Sequence, residues 1–198
     1  MDELNNSLFL LINATAEPDA AGLVIAKLLA EQTIWLVPVG LVAGWLIGNE
    51  ARRKILFSAA VAGFVGLLLS QVIGLLWTHP RPFMVGVGHT FIRHVADSSF
   101  PSDHLTLMWS ISLSFLFHNS TRSVGIILSL LILPVAWARV YVGVHYPLDM
   151  VGALFTAAVS VWFVISSERW LIQPIFRRTN RLFVFLFAPL IRRGWVSK

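Results

Sequence analysis

The sequence contains no cysteine, so disulfides and thiolate-held metals are excluded. Charge is scarce as well. Asp, Glu, Lys and Arg make up 13% of the chain, where soluble domains carry roughly 25%. No basic segment precedes the first apolar run. Asp2 and Glu3 stand where the n-region of a cleaved leader would be, so the whole chain is read as mature protein. There is no internal repeat and no low-complexity linker. What is present is apolar: 57% of residues are hydrophobic, and eight are tryptophan, a residue at home at membrane interfaces. At 198 residues the chain is expected to form a single membrane-embedded domain, 1–198, with a core over 20–168 and a tail over 169–198. The net charge of +5 reads as membrane topology rather than as a nucleic-acid surface.

A bilayer-spanning helix needs about 20 mostly apolar residues. Five segments qualify, at about 22–47, 55–77, 103–118, 123–142 and 148–166. The expected fold class is therefore an all-α polytopic membrane helix bundle of about five spans. Residues 4–12 are too short to span and are read as a helix lying on the membrane surface. A longer span over 4–20 is interrupted by Glu17, Pro18 and Asp19. Residues 182–191, interrupted by Pro189 and flanked by arginines, are also read as interfacial. Lys and Arg near the helix ends set the orientation. Arg52, Arg53, Lys54, Arg122, Arg169, Arg177, Arg178, Arg181, Arg192, Arg193 and Lys198 fall on one side. The other side holds Lys27, Arg81, Arg93 and Arg139. The tail is thus expected in the cytoplasm and the N-terminus outside.

On that topology three polar clusters share the outer face. They are Arg81-Pro82, Pro101-Ser102-Asp103-His104, and Arg139 with His145 and Asp149. Ionisable groups gathered in one membrane layer are a functional signal by default. Pro147 suits the first turn of a helix, which places His145 just before that helix and Asp149 in its first turn. A carboxylate on one ring nitrogen fixes the tautomer and leaves the other nitrogen free to attack. Arg139 and Arg81 can each hold two phosphate oxygens. Ser102 is a good N-cap, and the helix it opens presents free N–H groups that suit an anion. His104, in that first turn, is placed to donate a proton to a leaving oxygen. Two arginines, a helix N-terminus and two histidines make a phosphoryl-transfer site that needs no metal or cofactor.

Together these clusters resemble the type 2 phosphatidic-acid phosphatase superfamily, whose signature is Lys-x6-Arg-Pro, Pro-Ser-Gly-His and Ser-Arg-x5-His-x3-Asp. The chain reads Gly74-x6-Arg81-Pro82, Pro101-Ser102-Asp103-His104 and Ala138-Arg139-x5-His145-x3-Asp149. The run from His94 to His104, Arg81-Pro82-Phe83 and the opening Leu8 to Ala14 look like the bacitracin-resistance type of undecaprenyl-diphosphatase. The resemblance covers roughly residues 20–168. It implies an acid phosphatase/vanadium haloperoxidase-like helical core and an enzyme of the bacterial inner membrane whose site faces the periplasm. It implies an isoprenyl lipid diphosphate as substrate, with no metal and no cofactor. It assigns His145 as nucleophile, Asp149 as its orienting partner and His104 as general acid, with Arg81, Ser102 and Arg139 on phosphate. Three positions depart from the signature: Gly74 for Lys, Asp103 for Gly and Ala138 for Ser.

Lys27 is a candidate substitute for the missing Lys, and Glu31 is its i,i+4 neighbour. The two are expected to form an ion pair. Asp103 is expected to point away from phosphate or to bind an arginine, because a carboxylate beside phosphate repels it. His79, His89 and His94 are expected to be solvated in the outer loop, and His118 to be inert on the cytoplasmic side. The alternatives are another lipid phosphatase or a phosphotransferase of the same superfamily, or a small transporter or scaffold. A transporter would place ionisable residues near mid-membrane and show repeated halves.

Overall fold

Helices begin where the sequence supplies caps. The Asp19 carboxylate accepts the Gly22 N–H at 2.7 Å and opens α2 (Ala20–Glu31). The Asn49 side chain accepts the Arg52 N–H at 2.9 Å and opens α4 (Glu50–Leu76). Pro147 occupies the first turn of α7 (Pro147–Ser166). The remaining helices are α1 (Asp2–Ile12), α3 (Leu36–Ile47), α5 (Asp103–Leu116), α6 (Arg122–Tyr141), α8 (Gln173–Leu186) and α9 (Ala188–Arg192). The computed structural model describes residues 2–197, which contain no strand.

Four stretches are long and apolar enough to cross a membrane: Ala20–Ile47, Glu50–Leu76, Arg122–Tyr141 and Pro147–Ser166. Their outward faces carry exposed Leu68, Val72, Leu75, Leu130, Leu133, Phe155 and Trp162. Such a surface is stable only against lipid, and the protein is a membrane protein. The first expected span is not one straight helix. A 3₁₀ turn at Thr33–Trp35 separates α2 from α3, where Gln32 and Thr33 interrupt the apolar run. The third expected span, 103–118, is only the 14 residues of α5, about 21 Å of helix. It need not match the bilayer, because α4, α6 and α7 pack around it.

This central position explains the serines of α5. Ser110 meets Ser160 of α7 at 3.1 Å, Ser112 meets Ser129 of α6 at 2.7 Å, and Ser70 of α4 meets Thr106 at 3.2 Å. Small hydroxylated residues let apolar helices approach closely and satisfy each other across the contact. Between these layers Leu105, Met108, Ile111, Phe115, Ile132 and Val135 form the main core.

The two short terminal helices are docked. The expected surface helix is present as α1, but it leans on the bundle. Phe9 is fully buried against Tyr146, and Asn5 accepts the Leu148 N–H at 3.1 Å. Leu4, Leu10 and Leu11 face outward. At the opposite end, the apolar segment expected over 182–191 is divided between α8 and α9 at Phe187. Phe176 and Phe183 of α8 pack on Trp45, while Arg177, Arg178 and Arg181 stay exposed. Fully buried Arg53 ties this corner together. It donates to the Trp45 carbonyl at 3.0 Å and to the Ser197 carbonyl, and lies over the Phe183 ring. Such caging is what a buried guanidinium without a carboxylate requires.

Candidate functional site

The end of the bundle away from Arg53 is assembled from three chain crossings. Arg81 follows the end of α4 in extended backbone, Ser102 precedes α5, and the turn between α6 and α7 carries His145. That turn is sharp because Gly143 adopts φ +85°, a conformation that costs other L-residues dearly. It leaves room for the loop over residues 85–100. The Phe91 N–H bonds the Val142 carbonyl at 3.0 Å, and the Thr90 hydroxyl donates to the Gly143 carbonyl at 3.3 Å. Asn13, just after α1, clamps the same place. Its amide donates to the His89 and Tyr141 carbonyls at 2.8 and 3.1 Å, and its carbonyl accepts the His89 N–H at 2.7 Å.

Asp149 has two tasks. Its Oδ2 accepts the Tyr146 N–H at 2.8 Å, capping α7, and lies 3.1 Å from His145 Nδ1. The Ser99 hydroxyl donates to the same oxygen. The other ring nitrogen, Nε2, lies 3.0 Å from Arg81 Nη1. A guanidinium has only donors. Nε2 is therefore assigned the lone pair, and Nδ1–H points at the carboxylate. A neutral imidazole held in this tautomer presents Nε2 as a nucleophile. Burial holds the His145 pKa well below its ordinary value, and Arg139 and Arg81 push it the same way.

Both arginines are buried, and Arg81 is almost fully occupied. Arg81 donates through Nε to Asp97 at 2.8 Å, through Nη1 to the Val144 carbonyl at 2.9 Å and through Nη2 to the Ser98 carbonyl at 3.3 Å. Arg139 donates through Nη1 to the Ala30 carbonyl at 3.0 Å. That carbonyl lies in the last turn of α2, where helix C-termini leave acceptors free. The break in the first span thus anchors a site arginine. Arg139 Nη2 lies 3.1 Å from His94 Nε2, which must accept. Arg139 Nε, the Ser102 hydroxyl and Asp149 Oδ1 are buried without a hydrogen-bond partner. Buried polar groups ordinarily find partners. The unmatched Nε of Arg139 and the Ser102 hydroxyl are donors suited to an anion with several oxygens.

Arg139 and His104 line a common cavity of about 490 Å³ with Glu31, Arg93, His94 and an apolar wall of Ile34, Trp35, Pro38, Ile92 and Leu107. The structure thus brings Arg81, His145 and Asp149 into direct contact and sets Arg139 and His104 on one cavity. Ser102 takes the N-cap position of α5, yet its hydroxyl makes no capping bond. Asp103 pairs with no arginine among the described residues. It accepts the Gln71 amide of α4 at 2.9 Å. Lys27 and Glu31 form no ion pair among the described residues, and Lys27 is not on the cavity wall. Lys27 is half-buried and Glu31 exposed on α2, so the expected i,i+4 pairing gives way to separate surroundings.

His94 departs from the solvated role expected of it. Its ring stands edge-on to His145 at 6.0 Å and its Nδ1 bonds the Val95 carbonyl at 3.1 Å. Burial, with the charge of Arg81 next in weight, lowers its pKa. Asp97, Ser98 and Ser99 of the same loop were also missed, although they lie within the run that carried the family resemblance. His79 packs by Tyr146, His89 is exposed, and His118 bonds the Ser114 carbonyl at 3.0 Å, at the other end of α5. The signal available in the sequence was the absent Lys. A Cβ at Gly74 would lie 3.2 Å from Ser98 Cβ, so the loop fills the space where a longer side chain would start.

A helical membrane bundle carrying a His–Asp pair and two buried guanidiniums at one end defines a class. The profile of the PAP2 superfamily matches residues 52–173, and the chain belongs to that superfamily. Its relatives are near in length as well as sequence. It is 39% identical to YbjG of Escherichia coli (strain K12), over 99% of this chain and 98% of that protein. It is 32% identical to the undecaprenyl-diphosphatase BcrC of Bacillus subtilis (strain 168), over 96% and 97%. The crystal structure of Aquifex aeolicus LpxE shares the fold, with a TM-score of 0.69 at 20% identity, covering 82% of this chain and 95% of that one.

Proposed function

We propose that this protein removes the terminal phosphate of undecaprenyl diphosphate, giving undecaprenyl phosphate and inorganic phosphate. The observation that carries the reading is the His145 imidazole. Its Nε2 lone pair is held against Arg81 by the Asp149 carboxylate, and the neighbouring cavity is lined by Arg93 and Arg139 together with apolar Ile34, Trp35, Pro38, Ile92 and Leu107. An amphiphile with an anionic head fits that lining. The name borne by BcrC supports the isoprenyl diphosphate in particular.

In this reading the terminal phosphate takes N–H groups of Arg81 and Arg139 and the Ser102 hydroxyl. Withdrawal of Arg81 Nη1 toward phosphate frees Nε2. Its lone pair forms a bond to phosphorus as the bridging P–O bond breaks, and that electron pair leaves on the lipid phosphate. Asp149 stabilises the ring as it becomes cationic. Water then attacks phosphorus and gives a proton to His104, the P–Nε2 bond breaks with its electron pair returning to the ring, and inorganic phosphate leaves. The site's positive charge comes from guanidiniums, so the expected activity survives EDTA.

The placement proposed is the inner membrane with the site facing the periplasm, where carrier lipid is recycled for cell-wall synthesis and bacitracin would otherwise sequester it. The cationic tail at the opposite end of the bundle supports that orientation. Purified full-length enzyme is expected to release phosphate from undecaprenyl diphosphate, and His145→Ala to lose at least about 10³-fold in kcat. Appreciable turnover by His145→Ala, free of host phosphatases, would refute the nucleophile assignment. Faster turnover of phosphatidylglycerol phosphate, phosphatidic acid or a lipid A phosphate would reassign the substrate, and transfer to a second lipid would make it a phosphotransferase.

A further inference from the structure

The superfamily signature places a lysine where this chain has Gly74, and Ser98 fills the space beside that glycine. Lys27 does not reach the cavity wall. The residues that do bring added positive or protonatable character there are Arg93 and His94. They sit in the segment that also supplies Asp97 to Arg81 and Ser99 to Asp149. In the reading above the terminal phosphate lies against Arg81, Ser102 and Arg139, and Arg139 is also part of the cavity wall. A second phosphate, one bridging oxygen further out, then lies against the cavity wall.

We propose that Arg93 and His94 form the subsite for the second phosphate of a diphosphate lipid, and so make the site prefer an anhydride to a monoester. The inference rests on Arg81, Ser102 and Arg139 holding the terminal phosphate. Arg93 is exposed at the rim and presents a planar donor fork to phosphate oxygens. His94 accepts from Arg139 Nη2 at 3.1 Å. An anionic phosphate oxygen is the stronger acceptor for that N–H. Once it takes over, the His94 ring is released toward the substrate. The negative charge that arrives also offsets the field of Arg81 and Arg139, which favours an imidazolium there. Glu31, the acid on the same wall, opposes a phosphate, but it is exposed and one carboxylate against Arg93 and Arg139.

The chemistry makes the subsite selective. When the bridging bond breaks, the second phosphate gains a negative charge, and cations placed on it lower that barrier. A monoester puts its lipid carbon where the second phosphate would be and draws nothing from these residues.

The test uses full-length protein in lipid–detergent micelles, with farnesyl diphosphate and farnesyl monophosphate as matched substrates. Wild type is expected to favour the diphosphate. Arg93→Ala and His94→Asn are each expected to lower kcat/KM for the diphosphate by roughly 10- to 100-fold and for the monophosphate by less than about threefold. A variant that merely unhooked Arg139 or disturbed the fold would lose both substrates alike, and equal losses overturn the subsite. So does an unchanged diphosphate rate. If wild type turns over neither substrate while folded, the phosphatase reading fails first and the subsite falls with it. Inhibition provides a second measure that survives low turnover. Inorganic pyrophosphate is expected to inhibit wild type more tightly than phosphate, and that gap is expected to close in Arg93→Ala. A gap that persists in full counts against the proposal.

Discussion

At the scale of single residues, the site is a set of donors whose acceptors are incomplete. Arg81 uses Nε, Nη1 and Nη2, and one of its partners is the ring it would surrender to substrate. Arg139 keeps Nε unmatched in a fully buried position. This asymmetry bears on His104. The leaving group of an anhydride is itself a phosphate, with a second pKa near 6, and departs without needing a proton. The later attack of water does need a base. His104→Ala is therefore expected to slow steady turnover of a lipid diphosphate by roughly 10²- to 10⁴-fold and to leave a rapid first turnover. Quenched-flow measurement should show a burst of lipid monophosphate equal to the enzyme present, with phosphate trailing behind. Simultaneous slow release of both products would place His104 in the first step instead.

At the scale of elements, the α6–α7 turn is where side chains from distant segments are brought into register. The loop over 85–100 lies on the backbone of Val142 and Gly143, and Asn13 holds His89 and Tyr141 together. Gly143 at φ +85° meets the His89 carbonyl so closely that a methyl group has no space. Gly143→Ala carries both the left-handed penalty of about 1–2 kcal/mol and a clash with backbone that cannot rotate away. The expected outcome is a large loss of phosphate release, with a lowered thermal midpoint in detergent. Wild-type activity and midpoint in that variant would mean the turn and loop are not coupled. α5 shows a different constraint. Sheltered among α4, α6 and α7, it can be shorter than a bilayer and carry three serines, because each hydroxyl finds a partner on a neighbouring helix or on its own backbone.

At the scale of the whole molecule, the charge distribution divides the ends of the bundle. Arg53, Lys54, Arg177, Arg178 and Arg181 gather where α8 docks, and Lys54 pairs with Glu168 at 2.7 Å. Arg81, Arg139, His94, His104 and His145 gather at the other end. The proposed orientation can be read directly, because a chain without cysteine gives a clean background for single replacements. A cysteine at exposed His89, whose contacts to Asn13 run through backbone, is expected to react with an impermeant maleimide in intact spheroplasts. One at exposed Arg193 is expected to react only after lysis. The reverse pattern would put the site in the cytoplasm and separate the enzyme from a periplasmic substrate.

The sequence alone determined the class of solvent this chain lives in and the residue types of its chemistry. Apolar run lengths marked the membrane helices, and the spacing of Arg81, Ser102, His104, Arg139, His145 and Asp149 marked the candidate site, because both signals are local or motif-borne. It left undetermined the break between α2 and α3, the shortness of α5 and the part played by His94. Each of these is decided by partners far away in the chain. The Ala30 carbonyl matters because Arg139 reaches it from 109 residues on, and α5 is short because other helices shield it from lipid. His94 enters the site because the loop crosses a turn that only Gly143 permits. Hydropathy and motif spacing cannot register such contacts, since a buried hydrogen bond across the fold leaves no periodicity in the chain.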